Sequence, residues 1–204
     1  MTTTTLSTPN ASRRILVLIA AVFFLPFIVG SGLFWLDWRP GKSSNHGELL
    51  QPARALPVSG LAHADGRPLP TSELLGKWLI ALPVDGVCNT ACESRVQQMQ
   101  RVSAALSKEK NRFQRVLISY RRENSAQQAN DSQSADLQRR FPELVVVTVS
   151  ADAMKSWHSA LEGNGDAVYV IDPLGNVMMR YTDANDSRGL LKDMERLLKY
   201  SWIR

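Results

Sequence analysis

The chain has 204 residues, two cysteines and a formal net charge of +5, and 44% of its residues are hydrophobic. Its basic residues are scattered and interleaved with acidic ones, which argues against the dense basic surface of nucleic-acid-binding proteins and predicts no nucleic-acid partner. The sequence also lacks a phosphate-binding glycine loop, an HExxH motif and a serine elbow, so it does not point to those enzyme classes.

The first element is an apolar segment near the N-terminus. Residues 15–36 carry no charge and follow Arg13 and Arg14. At a rise of about 1.5 Å per residue, a helix of this length crosses the hydrocarbon core of a bilayer. Trp35 and Trp38 lie at its far edge, where indole rings favour the membrane interface. We predict an uncleaved anchor, because a cleaved signal peptide would be shorter and would end in a small-x-small cleavage site.

The charges that flank this segment predict its orientation. Arg13 and Arg14 favour a cytoplasmic N-terminus under the positive-inside rule, and Asp37 offsets the positive charge of Arg39 and Lys42 on the other side. We therefore expect a single-pass anchor in the inner (cytoplasmic) membrane, with the C-terminal domain in the periplasm. Disulfide chemistry is at home in that compartment.

The chain is predicted to consist of four segments. They are a cytoplasmic tail at 1–14, a transmembrane anchor at 15–36, a linker at 37–55 and a thioredoxin-like domain at 56–204. The last segment, about 150 residues long, is a suitable size for one globular domain.

Predicted strands and helices alternate along the domain. A β-hairpin is expected around the turn at 64–68, followed by one helical turn at Thr71. Further strands are predicted at 78–83, 113–119, 144–149, 167–172 and 177–181, the last two forming a hairpin. Helices are predicted from Asn89 to about Lys110, between a polar loop (121–134) and Pro142, at 150–161 with Ser150 as N-cap, and at 187–200. This order predicts an α/β fold with a mixed sheet flanked by helices.

The two cysteines, Cys88 and Cys92, follow the strand at 78–83 and open the next helix. The helix N-terminus favours the thiolate form, which attacks disulfides and binds soft metals. Residues i and i+4 of a helix have α-carbons about 6 Å apart, near the upper limit for a disulfide. The pair is thus a candidate catalytic pair, which would bond with slight unwinding of the first turn, and a candidate pair of metal ligands. A disulfide with no turnover is the alternative.

Several motifs, taken in their order along the chain, resemble those of the Sco/SenC family of thioredoxin-like proteins. They are Asp65–Pro68, Gly76–Leu79, the Cys-x-x-x-Cys pair, Val116–Ser119 and Tyr169–Asn176. The resemblance covers roughly residues 56–200. It implies a thioredoxin-like fold and a role in assembling the copper site of cytochrome c oxidase, and an N-terminal anchor with an exported domain also fits that family.

Three positions depart from the family pattern. Asn89 and Glu93 stand where the family usually has prolines. The family's third copper ligand, a histidine five residues before the hairpin tyrosine, corresponds to Asn164 here. Cys88 and Cys92 remain as possible copper ligands, with His158 as a weak candidate for the missing imidazole. An ordinary helix residue is the favoured interpretation of His158.

Three other polar residues near these motifs receive weaker interpretations. His46 and His63 are expected to be solvated. Asp85, three residues before Cys88, could tune the thiol or assist metal binding, although a turn-forming Asp-Gly pair is the favoured interpretation.

The resemblance implies a membrane-anchored assembly factor for the respiratory oxidase. It would act through Cys88 and Cys92 by thiol–disulfide exchange or Cu(I) handling, with copper as the possible cofactor. An oxidase subunit or another assembly factor would be its partner. The lack of the family's histidine favours thiol redox chemistry over stable Cu(II) storage.

Two alternatives remain. The first is a general thiol:disulfide oxidoreductase, in which Cys88 attacks and Cys92 resolves the mixed disulfide, since Cys88 lies nearer the helix N-terminus and is expected to be more exposed. The absence of a proline at 163–167, where classical thioredoxins have a cis-proline, weakens this alternative. The second is a partner-binding module with a structural disulfide.

Overall fold

A computed structural model of the chain describes residues 9–36, 38, 45–57, 59–63, 66–120, 127–161, 167–182 and 187–201. The chain divides into two units, Met1–Ser44 and Asn45–Arg204. The N-terminal unit contains helix α1 (Pro9–Trp35). Within it, the most apolar 18-residue stretch of Arg13–Trp35 has a mean hydropathy of 2.6, and none of that stretch is buried against protein. Arg13–Trp35 extends about 35 Å at the α-helical rise, so this one apolar helix fits a single-pass membrane anchor.

The second unit is built on a seven-stranded mixed sheet. Its strands are β1 (Glu48–Ala55), β2 (Leu61–His63), β3 (Trp78–Asp85), β4 (Phe113–Tyr120), β5 (Leu144–Val149), β6 (Val168–Ile171) and β7 (Asn176–Tyr181). The strand order is β1-β7-β6-β3-β4-β5-β2. Strands β3, β4 and β5 are parallel, and the other pairings are antiparallel. This is the thioredoxin-like mixed sheet that the sequence predicts.

Among the described residues of this unit, five helices accompany the sheet. They are α2 (Thr71–Leu74), α3 (Thr90–Ala105), α4 (Gln127–Arg140), α5 (Met154–Ala160) and α6 (Ser187–Tyr200), with a 3-10 segment, Ser107–Arg112, after α3. The predicted helix from Asn89 to about Lys110 therefore ends five residues early as an α-helix and continues as the tighter 3-10 form.

Strand β3 is buried on both faces and separates two apolar clusters. Ile80 and Leu82 pack in the cluster that includes α3 and α6 residues such as Met99 and Met194. Leu79 belongs to the cluster on the other face, which contains residues of α2 and α5. Because a strand presents alternate side chains to opposite faces, a strand between two helical layers is apolar at nearly every position.

Three sequence-based element assignments need correction. Residues 48–55 were expected in the linker but form β1, which pairs with β7. Only Leu50 of β1 is buried, because β1 is an edge strand and therefore lacks the apolar run of a central strand. Helix α4 begins within the expected polar loop at 121–134. Ser150 does not cap α5, whose N-cap is Ala153; the backbone N–H of Ser150 instead donates to Gly60 O.

The beginning of the domain is attached to α6 through the buried carboxylate of Asp193. One of its oxygens accepts hydrogen bonds from the backbone N–H groups of His46 (2.8 Å) and Gly47 (2.9 Å) and from the Tyr181 hydroxyl (2.8 Å). The His46 ring, expected to be solvated, lies 3.3 Å from the other oxygen and is 42% exposed. Gly47 has no room for a side chain, since a Cβ would lie 2.4 Å from Tyr181 Cζ. We call Asp193 and these three partners the Asp193 network.

Candidate functional site

The cysteine loop joins the carboxyl end of β3 to α3. Asp85 ends β3, and Gly86 has a φ of +86°, a backbone conformation that glycine adopts without strain. The interpretation of Asp85-Gly86 as a turn at the strand end agrees with this backbone. Asn89 is the N-cap of α3, so Cys88 precedes the helix and Cys92 lies in its first turn. The helix begins at Thr90, one residue after the predicted start at Asn89, and Cys88 lies outside it.

Cys88 and Cys92 form a disulfide with their α-carbons 5.2 Å apart. This separation is shorter than the spacing of about 6 Å predicted for residues i and i+4 of a helix, and it lies well within the range that a disulfide spans. Both cysteines are 5% exposed, so the expected difference in exposure between them is not observed. They pack in the same apolar cluster as Val84 and Val96.

The side chain of Gln133, on α4, makes two hydrogen bonds to the backbone of the cysteine loop. Its side-chain oxygen accepts a hydrogen bond from the backbone N–H of Cys88 at 2.7 Å, and its amide nitrogen donates to the carbonyl of Cys88 at 2.5 Å. Gln133 was not predicted as part of the site, because it lies in the expected polar loop at 121–134 among many similar side chains. An amphipathic helical pattern at 133–137, with Ser134 and Leu137 on the buried face, was the signal in the sequence that could have indicated a helix here.

The two residues that replace the family's prolines both have structural partners. The Asn89 side chain accepts a hydrogen bond from the backbone N–H of Cys92 at 3.0 Å, which is the usual role of an N-cap. Glu93 makes a two-pronged ion pair with Arg140 of α4, with N–O distances of 2.9 and 3.3 Å. The hydrogen bond from Arg140 lowers the pKa of Glu93, despite some desolvation. Both substitutions thus stabilise the start of α3.

A very small cavity lies beside Cys88. Its volume is about 10 Å³, and its lining includes Gly86, Ser119 and Gln133 but not Cys92. A space of this size holds at most one water molecule. A client thiol would therefore reach the disulfide only after a local opening of the loop or of α4.

His158 lies against Tyr120 at the carboxyl end of β4. The two rings stack with centroids 4.2 Å apart. Tyr120 is buried, and its hydroxyl has no hydrogen-bond partner among the described residues. Burial, with smaller effects from Tyr169 and the charge of Asp85, raises the pKa of Tyr120 well above its usual range. The stacking gives His158 a role in packing, and its role as a metal ligand stays a prediction.

The part of the chain that the structure describes contains no group of three or more His, Cys, Asp or Glu side chains placed to hold one metal ion. Cys88 and Cys92 supply two sulfur donors, and Asn164 lies outside the described residues. His63, expected to be solvated, lies 3.2 Å from a carboxylate oxygen of Glu73. Among the described residues, the metal ligands available after reduction of the disulfide would therefore be the thiolates of Cys88 and Cys92.

Comparison with known proteins gives a family match over residues 78–201, to the family described as "Transmembrane-like, thioredoxin-like, C-terminal domain". No curated protein sequence matches the chain.

Solved structures share the fold at low sequence identity. Copper-bound yeast Sco1 matches with a TM-score of 0.57 and 17% identity, covering 79% of this chain and 96% of that one. BsSco, described as having a disulfide switch and as a member of the Sco family of cytochrome c oxidase assembly proteins, matches with a TM-score of 0.56 and 15% identity, covering 74% and 96%. The thioredoxin domain of a thiol-disulfide oxidoreductase from Bacteroides vulgatus matches with a TM-score of 0.51 and 14% identity, covering 76% and 99%. The resemblance to Sco proteins is thus confirmed for the fold.

Proposed function

Because the chain belongs to the transmembrane-like, thioredoxin-like family, we propose that it is a membrane-anchored, Sco-like thiol–disulfide exchange protein. The observation that carries this proposal is the Cys88–Cys92 disulfide at the junction of β3 and α3, beside a water-sized cavity. The cysteines connect a central strand to a helix N-terminus, where the thiolate form is favoured. The pair therefore lies where the loop after a central strand meets the first turn of a helix.

The exchange begins when the thiolate of a dithiol reductant attacks one sulfur of the disulfide. An S–S bond forms between reductant and protein while the Cys88–Cys92 bond breaks, and the second thiol of the reductant then releases itself as a disulfide. Two electrons and two protons reach the cysteines, and the reductant loses the same number. Cys88 is the favoured point of attack, because it lines the cavity and Cys92 does not.

Copper fits this site as a cargo bound after reduction. Two thiolates are soft ligands that select Cu(I), whereas a Cu(II) site of two cysteines and a histidine needs an imidazole. His158 stacks on Tyr120, and no cluster of three metal-binding side chains exists among the residues described. We therefore infer transient Cu(I) transfer through Cys88 and Cys92 rather than Cu(II) storage.

Respiratory cytochrome c oxidase is the proposed destination of this chemistry. The support is the shared fold with BsSco, itself described as a member of a family of oxidase assembly proteins. An oxidase subunit or a second assembly factor would be the partner that exchanges disulfide or copper with the domain. We place the domain in the periplasm and its anchor in the inner membrane, since Arg13 and Arg14 precede α1.

A Cu(I) competition experiment tests the copper part of the proposal. The full chain in lipid nanodiscs is reduced and titrated against a coloured Cu(I) chelator. We expect one Cu(I) per chain, loss of binding in Cys88→Ser and in Cys92→Ser, and unchanged binding in His158→Ala. Cu(I) binding that survives both cysteine substitutions would exclude the two-thiolate site, and weakened binding in His158→Ala would show that the ligand set includes an imidazole.

A general thiol:disulfide oxidoreductase is the second candidate function, favoured by the shared fold with the Bacteroides vulgatus oxidoreductase domain. Trapping in cells separates the two functions. A Cys92→Ser variant should accumulate mixed disulfides through Cys88, because the resolving thiol is absent. One or two oxidase-related clients would support the assembly factor, many unrelated clients would support the general enzyme, and no client would favour a structural disulfide.

Reporter fusions at the C-terminus test the orientation. Alkaline phosphatase is active only after export, so the periplasmic assignment predicts an active fusion. An inactive phosphatase fusion together with a fluorescent cytoplasmic reporter would place the cysteines in a reducing compartment. That result would contradict the oxidase-assembly proposal.

A further inference from the structure

A polar cavity of about 250 Å³ lies at the amino ends of the parallel strands, whereas Cys88 follows the carboxyl end of β3. Its lining carries three cationic side chains and one anionic one, together with the polar side chains of α3 and the 3-10 segment. The charged residues are Lys77, Lys110, Arg115 and Glu143. This cavity plays no part in the cysteine chemistry.

Arg115 is the central feature of the cavity. It is 2% exposed, and its Nη2 donates to a carboxylate oxygen of Glu143 at 3.3 Å. Its Nη1 is buried without a hydrogen-bond partner among the described residues. Burial lowers the pKa of Arg115, and the charge and hydrogen bond of Glu143 only oppose this effect. Since a guanidinium stays protonated in proteins, the unused donor requires an acceptor.

Glu143 does not balance the positive charge of the cavity. It is about half exposed and also pairs with Lys110 Nζ, 2.9 Å away. Lys77 makes no ion pair or hydrogen bond within the described part of the chain. Three positive charges therefore face one negative charge, which leaves a formal excess of two. A bound anion would balance this excess and bring acceptor oxygens beside Arg115, whose side chain lines the cavity.

We propose that this cavity binds a small oxyanion of the phosphate class. Guanidinium and ammonium groups together match the several oxygens of a phosphate, and Ser103 and Asn111 add neutral donors at the wall. The volume lies below the range of about 300–1,000 Å³ typical of drug-sized ligands, which favours a single phosphate over a nucleotide. The phosphate could be inorganic phosphate or the headgroup of an anionic lipid.

Calorimetric titration of the full chain in phosphatidylcholine nanodiscs tests this proposal. The two probes are inorganic phosphate and glycerophosphoglycerol, the soluble headgroup of phosphatidylglycerol, each at constant ionic strength. Lys77→Gln and Lys110→Gln should weaken binding of the preferred probe about tenfold, because each removes a charge-assisted hydrogen bond. Lys108→Gln is the matched control, since Lys108 is an exposed neighbour that does not line the cavity.

Glu143→Gln gives the sharpest readout, since it should tighten binding by removing the competing carboxylate. The probe that binds more tightly identifies the source of the phosphate. Absence of saturable binding for both probes would overturn the proposal. An equal loss in Lys77→Gln, Lys110→Gln and Lys108→Gln would also overturn it, because such a pattern indicates only general attraction between charges.

Discussion

Two regions of the domain are each held by one polar side chain on a helix. Asp193 of α6 holds the Asp193 network, and Gln133 of α4 holds the cysteine loop. The hydrogen bonds in the two regions differ in strength. Asp193 is buried and ionised, and one of its oxygens accepts three hydrogen bonds. Gln133 is half-buried and neutral, and it makes two hydrogen bonds to the backbone of one residue, Cys88. A buried charge that loses its partners is costly, whereas a neutral amide at the surface exchanges its partners for water easily. The Asp193 network is therefore suited to holding the beginning of the domain permanently against α6, whereas the cysteine loop is suited to opening repeatedly.

The largest expected effect comes from Asp193→Ala. This substitution leaves the His46 and Gly47 N–H groups and the Tyr181 hydroxyl without their acceptor, and we expect a loss of about 4 kcal/mol in the free energy of unfolding. Urea unfolding of the full chain in detergent, followed by tryptophan fluorescence, measures this loss. The exposed Asp152→Ala is the control, with an expected change within about 0.5 kcal/mol. Equal behaviour of the two variants would contradict a stabilising role for the network.

The pH dependence of stability gives a second test of the network. Burial raises the pKa of Asp193, but the hydrogen bonds from Gly47, Tyr181 and His46 outweigh burial and hold the pKa below its ordinary value of 3.8. The stabilisation is therefore complete above pH 3.8 and declines as the pH falls through the lowered pKa of the folded state. In Asp193→Asn, the loss of stability that comes from protonation of Asp193 at low pH should be absent. A parallel acid profile for wild type and variant would contradict the assignment.

Reduction of the Cys88–Cys92 disulfide should lower the free energy of unfolding by less than Asp193→Ala does. The loop that it closes is five residues long, and the chain-entropy relation gives about 2 kcal/mol for a loop of this size. Unfolding with and without a phosphine reductant measures the difference, with Cys88→Ser/Cys92→Ser as a variant that reductant should not affect. A loss above about 4 kcal/mol would show that the disulfide is needed for the fold.

Gln133→Ala should accelerate reduction of the disulfide about fivefold. It removes both hydrogen bonds to the Cys88 backbone, and a decrease of about 1 kcal/mol in the cost of opening the loop corresponds to that factor. The rate of reaction with excess dithiothreitol measures the effect. Gln138→Ala is the matched control, since Gln138 is an exposed glutamine on the same helix. Identical rates for the two variants would exclude Gln133 as a positioning residue.

The smallest expected effect is that of Glu93→Gln. It breaks the ion pair with Arg140 that connects the start of α3 to α4. Exposed ion pairs contribute little and are screened by salt, so the reduction rate should change less than about twofold. The change should shrink further in about 1 M salt. A large effect that persists at high salt would mean that Glu93 acts on the cysteines directly.

The centre of the sheet was predictable from sequence, whereas its edges were not. Strands β3 and β5, and the segment 116–118 of β4, are apolar runs because helices cover both faces, and a run of this kind is visible in the sequence. Strand β1 has one buried residue, Leu50, and lies in a segment that reads as a linker. Its position depends on pairing with β7, more than 100 residues away, which local patterns do not record.

The candidate site was predictable in its cysteines but not in their surroundings. Two cysteines between a strand and a helix predict a candidate redox pair, and the structure brings them together in a disulfide. Gln133 is 45 residues from Cys88 and lies in a polar stretch rich in glutamine and asparagine, so composition does not distinguish it. Asn89 was predicted as the first helical residue, but it is the N-cap of α3, and its side chain accepts a hydrogen bond from the backbone N–H of Cys92.

The redox midpoint of the Cys88–Cys92 pair is the most direct test of the proposed function. The full chain in nanodiscs is equilibrated with dithiothreitol buffers of known potential, the free thiols are trapped with a maleimide, and the reduced fraction is read from a gel shift. A protein that exchanges disulfides should have a midpoint between about −120 and −270 mV, the range of thiol–disulfide exchange proteins. A midpoint below about −300 mV would identify a structural disulfide and contradict both the exchange mechanism and the Cu(I) transfer that depends on it.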